Sequence, residues 1–256
     1  MTNIILKGCN GKMGQVISEM VDADENTVII AGIDIAQNCN NKYPVYQSFT
    51  QCNVRADVII DFSAPVNLED MLDFAINRGI GIVLCTTGFT KDQLDLIDQA
   101  ATQIPILRSA NMSMGINLIT KLLKDATAIL ADAGFDIEIV ERHHNNKVDA
   151  PSGTALALAD AMNEALNDEY SYQYDRSKER VPRKKKEIGI SAVRGGTIVG
   201  EHEIIFAGTD EVIEIKHVAY SKAIFAKGAV QAAKFLPGKA AGMYKMSDLM
   251  NEKKTR

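Results

Sequence analysis

Seven residues near the start of the chain, Gly8-Cys9-Asn10-Gly11-Lys12-Met13-Gly14, constrain its fold more than any other stretch. They follow a short apolar run at 3–7 and open a helical pattern that carries Met13, Val16, Ile17 and Met20. Glycines at this spacing let the backbone turn tightly and approach a pyrophosphate, while free N–H groups and the helix dipole favour its negative charge. Asn10 takes the place of the second glycine in the commoner fingerprint. The next β-branched run, Thr27–Ile33, stops at Asp34. A carboxylate at that strand end is placed to bind the adenine-ribose hydroxyls, which favours NADH over NADPH. Ile35 follows it, so no arginine stands there to receive a 2′-phosphate, although Lys12 partly substitutes. The expected cofactor is NADH and/or NADPH, leaning to NADH.

Strand and helix patterns alternate through the first third. Strands are expected at 57–61, 81–85 and 104–108, and helices at 66–78 and 90–103. Near-continuous apolar strands alternating with amphipathic helices predict a parallel sheet covered on both faces, a doubly wound sheet of the Rossmann type. Two further strand ends, Asp61-Phe62-Ser63-Ala64-Pro65 and Cys85-Thr86-Thr87-Gly88-Phe89, carry hydroxyl- and glycine-rich loops that suit a ribose and a nicotinamide amide.

The rhythm then changes. Residues 114–131 read as one long helix, 135–141 as a strand, 154–166 as a helix and 167–186 as a polar connection. Strands follow at 187–194, 200–206 and 211–217, the last two alternating apolar with polar residues, before a final helix at 222–236. Strands in succession predict a second, α+β domain with an open mixed sheet, one face of which leaves room for a subunit contact. The expected division is 1–112 with 222–256 for the dinucleotide and 113–221 for the substrate. The basic cluster Arg183-Lys184-Lys185-Lys186 reads as a solvated loop.

The densest chemistry is Glu141-Arg142-His143-His144-Asn145-Asn146-Lys147-Val148-Asp149-Ala150-Pro151-Ser152-Gly153-Thr154-Ala155. Adjacent histidines rarely ligate one ion together, and no further His or Cys spacing completes a set, so no metal is expected. A histidine that titrates near neutrality and a compact lysine charge make better sense as proton donors and anion binders. The Pro151-Ser152-Gly153-Thr154 break starts a helix whose free N–H groups, dipole and Thr154 hydroxyl would cradle a carboxylate. The motif favours a small anionic substrate.

Charge and composition narrow the classes. Lys and Arg number 28 against 33 Asp and Glu, a net charge of −5, which disfavours nucleic-acid binding. No apolar run approaches the roughly 20 residues of a membrane span, and no signal-peptide pattern opens the chain. The four cysteines, Cys9, Cys39, Cys52 and Cys85, form no C-x-x-C pair and read as free thiols of a cytoplasmic protein.

With these residues in hand the sequence resembles the 4-hydroxy-tetrahydrodipicolinate reductases, also called dihydrodipicolinate reductases. Residues 141–155 look like that family's E-x-H-H-x-x-K-x-D-A-P-S-G-T-A signature, supported by residues 8–14, 86–88, 109–117 and 194–202. The resemblance implies NAD(P)H-dependent reduction of a cyclic dicarboxylate at C4, with loss of water, in the diaminopimelate route to lysine. It implies His143 as catalytic proton donor, Lys147 as second donor, and His144, Gly153 and Thr154 as substrate-carboxylate binders. Gly8, Cys9, Asn10, Gly11, Lys12, Met13, Asp34, Cys85, Thr86, Thr87, Ser109, Ala110, Asn111 and Met112 are implied as cofactor contacts. It further implies a homotetramer built through the second domain's sheet and a hinge that closes over the substrate. Lys12, Cys85 and Lys222 depart from the family's commoner arginine, glycine and arginine. Two rival readings are a semialdehyde dehydrogenase, which needs a nucleophilic cysteine that no position after Cys85 offers, and a non-enzymatic dinucleotide sensor. A sensor has no use for His143, His144 and Lys147 beside an anion-binding helix start.

Overall fold

The computed structural model describes residues 1–36, 41–174, 176–177 and 180–252. Cys39 and part of the 167–186 connection lie outside them. The chain divides into two compact units, Met1–Met114 with Ala223–Arg256, and Gly115–Lys222.

The first unit begins with β1 (Thr2–Lys7), α1 (Lys12–Asp22), β2 (Thr27–Ile33) and a short β3 (Val45–Tyr46). It continues through β4 (Val58–Asp61), α2 (Leu68–Arg78), β5 (Gly81–Leu84), α3 (Lys91–Ala101) and β6 (Pro105–Arg108). These strands, joined by a late strand described below, form a seven-stranded sheet whose pairings are parallel. Its order runs β3-β2-β1-β4-β5-β6, so the chain reverses direction across the sheet between β1 and β4. Alternation along each strand splits the apolar residues between two cores. Ile4, Leu6, Val58, Ile60 and Val83 face α1, whereas Ile5, Ile59, Ile82 and Leu84 face α2 and α3. Each such side chain fully buried contributes about 1.5–3 kcal/mol. The start of α3 is fixed by a capping box between Thr90 and Gln93, and Gln93 also donates to the Pro65 carbonyl at 2.9 Å.

The second unit contains most of α4 (Met114–Asp132), then β7 (Asp136–His143), α5 (Gly153–Glu164), β8 (Ser171–Gln173), β9 (Glu187–Arg194), β10 (Gly200–Ala207) and β11 (Val212–Ala219). Its sheet has the order β11-β10-β7-β9-β8, with β7, β9 and β8 parallel and β10 and β11 antiparallel. Leu123 of α4 and Leu158 and Met162 of α5 pack on Ile137, Ile139, Ile188, Ile190, Ile204 and Phe206. The opposite face carries charge: Arg142 pairs with Glu203 at 2.8 Å and Lys216 with Glu201 at 3.4 Å.

The chain then returns to the first unit with α6 (Ala223–Phe235), β12 (Gly242–Tyr244) and α7 (Met246–Glu252). β12 pairs with β6 at the sheet edge, and α6 adds Ala226, Ala229, Val230 and Ala233 to the core beside α1. Among the described residues no helix is long and apolar enough to cross a membrane.

Four expectations are corrected. The strand expected to end at Glu141 runs on to His143, because β9 and β10 flank it through Arg142 and beyond. The connection at 167–186 contains a strand, β8, which pairs with β9. Arg183 is not solvated: its guanidinium donates to Asp136 Oδ1 at 2.9 Å, Glu138 Oε1 at 3.1 Å and the Ile137 carbonyl at 2.9 Å. β10 buries alternate residues as expected, but β11, at the sheet edge, buries only Ala219.

Candidate active site

In the first unit the glycine turn sits where the strand order reverses. Gly8 has φ +82°, and a Cβ there would stand 2.6 Å from the Phe62 carbonyl oxygen. A Cβ on Gly14 would stand 2.2 Å from the Gly8 carbonyl oxygen, so helix α1 can approach the turn only without a side chain at that position. Gly8, Asn10, Gly11 and Asp34 share the wall of a cavity of about 350 Å³ with Lys7 and the loop after β4. Asp34 braces the turn, its Oδ2 accepting from the Asn10 N–H at 2.9 Å and its Oδ1 from the Ala36 N–H at 3.0 Å. A glycine cradle backed by a helix start and lining the cavity fits a dinucleotide's pyrophosphate.

Not every expected contact shares that wall. Lys12 is exposed and Met13 half-buried on α1, and neither lines the cavity. Cys85, Thr86 and Thr87 follow β5, and Ser109, Ala110, Asn111 and Met112 follow β6, outside the cavity lining. The side chains of Cys9, Cys85 and Met112 belong to the core beside α1 and α6. Only the backbone at these three positions is left to meet a ligand. Burial pushes the Cys85 thiol well up, with the nearby Asp61 adding to it, so this cysteine is an unreactive thiol.

In the second unit β7 carries Glu141 and His143 on one face, two residues apart on a strand. Glu141 is completely buried and His143 is 9% exposed. Glu141 Oε2 lies 2.6 Å from His143 Nδ1. The opposite side of the carboxylate takes a two-pronged Arg194, at 2.8 Å to Oε2 and 2.7 Å to Oε1, and Oε1 also accepts the Ser152 N–H at 2.9 Å. Against the rise that burial would cause, Arg194, His143 and Ser152 hold the Glu141 carboxyl below its ordinary value. An ionised carboxylate only accepts, so Nδ1 of His143 carries the hydrogen and Nε2 is the working atom. A Cβ on Gly200 would stand 3.1 Å from that Nε2, so the glycine keeps the space beside it open. Burial holds the His143 pKa below its ordinary value, with Lys147 and Arg194 adding to that and Glu141 opposing it.

Ser152 joins this cluster to the helix start. Its Oγ caps α5 by accepting the Ala155 N–H at 3.1 Å and lies 3.0 Å from His202 Nε2. The His202 ring stands edge-on to His143 at 5.3 Å between centroids, and burial pushes its pKa down to about 4. Gly153 and Thr154 form the first turn of α5, with Gly153 exposed. Among the described residues the buried Nδ1 of His144 meets no hydrogen-bond partner. Lys147 holds Asp149 at 2.7 Å, and Arg194 Nη2 also donates to the Asp149 carbonyl at 2.6 Å. Sequence reasoning gave no role to Glu141, Arg194 or His202. The one local signal was an acid two residues before a histidine on a strand, which turns it to the same buried face and demands a partner.

The fold defines the class: a parallel nucleotide-type sheet with the glycine turn at its reversal point, followed by a mixed-sheet unit that bears a buried acid–histidine pair, as in two-unit dehydrogenases and reductases. The comparisons with known proteins narrow it. Residues 2–112 match the model of the dihydrodipicolinate reductase N-terminus and residues 115–250 that of its C-terminus. The chain is 48% identical over 253 residues to the 4-hydroxy-tetrahydrodipicolinate reductase of Clostridium novyi (strain NT), covering 99% of this chain and 100% of that one. It is 47% identical to that of Clostridium tetani (strain Massachusetts / E88), covering 98% of each. The dipicolinate-bound dihydrodipicolinate reductase from Paenisporosarcina sp. TG-14 superposes with a TM-score of 0.80 at 23% identity, covering 96% of this chain and 97% of that one. The chain belongs to the dihydrodipicolinate reductase family.

Proposed function

We propose that this chain reduces 4-hydroxy-tetrahydrodipicolinate to tetrahydrodipicolinate with NADH or NADPH, in lysine biosynthesis, using His143 as the proton donor. The observation that carries the reading is the buried Glu141–His143 pair at 2.6 Å, next to the capped start of α5. The first unit holds the dinucleotide and the second binds the substrate. Bound NAD(P)H supplies the hydride that arrives at C4 of the ring. The C4 hydroxyl must first leave as water with a hydrogen of the neighbouring ring carbon; the hydride then adds to C4 of the conjugated C=C–C=N so formed, and a proton must be delivered to that neighbouring carbon.

Glu141 and Arg194 fix the His143 ring so that Nε2, protonated when the ring is the imidazolium that Glu141 favours, delivers that proton, and a positioned acid of this kind contributes about 10²–10⁴-fold. Lys147 supplies a second ammonium donor once it leaves Asp149. The start of α5 at Gly153 and Thr154, where the Gly153 N–H now answers the Asp149 carboxylate, and the His144 side chain are the groups this reading assigns to the substrate's carboxylates. NADH is the preferred cofactor in this reading, supported by Asp34 in the wall of the glycine cavity with exposed Ile35 after it. A cytoplasmic homotetramer belongs to the same reading, supported by the buried thiols of Cys9, Cys52 and Cys85, which are in no disulfide, and by the charged outer face of the mixed sheet.

The test is oxidation of NADH and of NADPH by the purified chain, with the pyruvate–aspartate-semialdehyde condensation product made fresh in the cuvette. Substrate-dependent oxidation is expected, faster with NADH. His143→Ala should lower turnover by about 10²–10⁴-fold while leaving the Kd for NADH unchanged. A folded chain that binds NADH but oxidises neither cofactor in the presence of the condensation product would be a sensor instead.

A further inference from the structure

Two opposite charges are buried where β1 and β4 lie side by side and the strand order reverses. Lys7 is 6% exposed and Asp61 completely buried, and the two face each other in register. Lys7 Nζ lies 3.5 Å from Asp61 Oδ2 and donates to the Val66 carbonyl at 3.0 Å. Asp61 Oδ1 accepts from Ser63 Oγ at 2.5 Å, and the Ser63 N–H donates to Thr86 Oγ1 at 3.1 Å. Among the described residues Asp61 Oδ2 accepts no hydrogen bond, and Lys7 is the cation beside it. Lys7, Ser63 and Val66 share the wall of the cavity that Gly8 and Gly11 line. The neighbours of Lys7 on β1, Ile4, Ile5 and Leu6, are fully buried and apolar, and an apolar residue would extend that strand without the desolvation of an ammonium.

We propose that Lys7 sets the charge of the nucleotide cavity, standing in its wall and cancelling the buried Asp61 behind it in a site that takes an anion, and tying down the loop after β4 through the Val66 carbonyl. The inference rests on the dinucleotide reading above. Lysine removed, a buried carboxylate is left uncompensated just behind the wall of the site. Carboxylate removed, the same wall becomes cationic. The two residues therefore act as a matched pair whose effects on binding are not additive. Lys7 is a positioning residue, not a catalytic one.

The experiment measures the Kd for NADH by fluorescence, with Tm alongside, for the full chain and for Lys7→Met, Asp61→Asn and the double variant. Lys7→Met should weaken NADH by about tenfold, Asp61→Asn should tighten it by about threefold, and the double variant should return to within about threefold of the parent. Asp61→Asn keeps the size of the side chain, so its arm reads out even where Lys7→Met fails to fold. Binding of NADH to Asp61→Asn should also fall more steeply with added KCl than in the parent, which a purely structural role would not produce. A double variant as weak as Lys7→Met, or an Asp61→Asn that binds more weakly at unchanged Tm, overturns the proposal. If the parent binds NADH and all variants bind alike, only this inference falls; if the parent does not bind NADH, the dinucleotide reading falls with it.

Discussion

Each unit buries one carboxylate completely, and the two are answered in different ways. Asp61, in the parallel sheet, accepts one hydrogen bond from Ser63 and has a lysine at 3.5 Å. Glu141, in the mixed sheet, accepts from Arg194 twice, from the Ser152 N–H and from His143. Burial raises the Asp61 carboxyl above its ordinary value in spite of Lys7, whereas the hydrogen bonds overcome burial at Glu141 and lower it. Burial alone thus does not decide ionisation; the number of donors aimed at the oxygens does. The histidines sharpen the contrast, since His143, His144, His202 and His217 all belong to the second unit.

The largest effect expected from breaking this contrast is at Glu141. Glu141→Gln leaves Arg194 without its anion and should destabilise the chain by about 3 kcal/mol in urea unfolding. The same variant should lower kcat/KM by about a hundredfold. Because Glu141 opposes the fall in the His143 pKa, the variant's loss of kcat/KM with rising pH should also begin at lower pH. A kcat/KM within threefold of the parent would show that His143 works without its acid.

Next comes His202. Its folded pKa of about 4 lies below the ordinary 6.5, so the folded chain binds fewer protons than the unfolded one. The stability tied to a neutral His202 is complete above about pH 6.5 and is lost as pH falls towards 4, about 3 kcal/mol in all. His202→Gln should flatten the fall in unfolding free energy between pH 7 and 4.5 relative to the parent; parallel curves would remove His202 from the account. Smaller again is Asp34→Ala, which loses the brace on the Asn10 N–H. It should weaken NADH by about tenfold and NADPH by about threefold in fluorescence titration, and equal losses would leave Asp34 a brace alone. Smallest is the stability of Asp61→Asn, expected within about 1 kcal/mol of the parent. A loss as large as that of Glu141→Gln would erase the distinction between the two carboxylates.

How much of this was legible in the sequence follows from the range of the interactions. The glycine turn, the parallel sheet and the His143–Lys147 segment rest on residues within a few positions of each other, and local spacing reveals them. Arg194 meets Glu141 across 53 residues and His202 meets Ser152 across 50, contacts made only when β9 and β10 line up beside β7. Arg183 looked like one of four solvated cations because its run is basic. Asp136 and Glu138, which capture it, lie 47 and 45 residues earlier. The alternation of β11 reads like that of β10, but burial on a strand also requires a neighbour on its outer side, and the sequence does not show which strand is last.

The return of residues 223–252 to the first unit has a consequence during synthesis. Until α6 leaves the ribosome, Ile4, Leu6, Val58, Ile60 and Val83 lack the apolar cover that Ala226, Ala229, Val230 and Ala233 provide. At roughly 5–20 residues per second, the stretch from Gly115 to Lys222 holds that sheet half-covered for something on the order of 5–20 s. The second unit is then the first to be complete in sequence, although translation starts with the other. Nascent chains stalled shortly before Ala223 should accordingly hold a finished second unit and a sticky, unfinished first one, the state most in need of a chaperone.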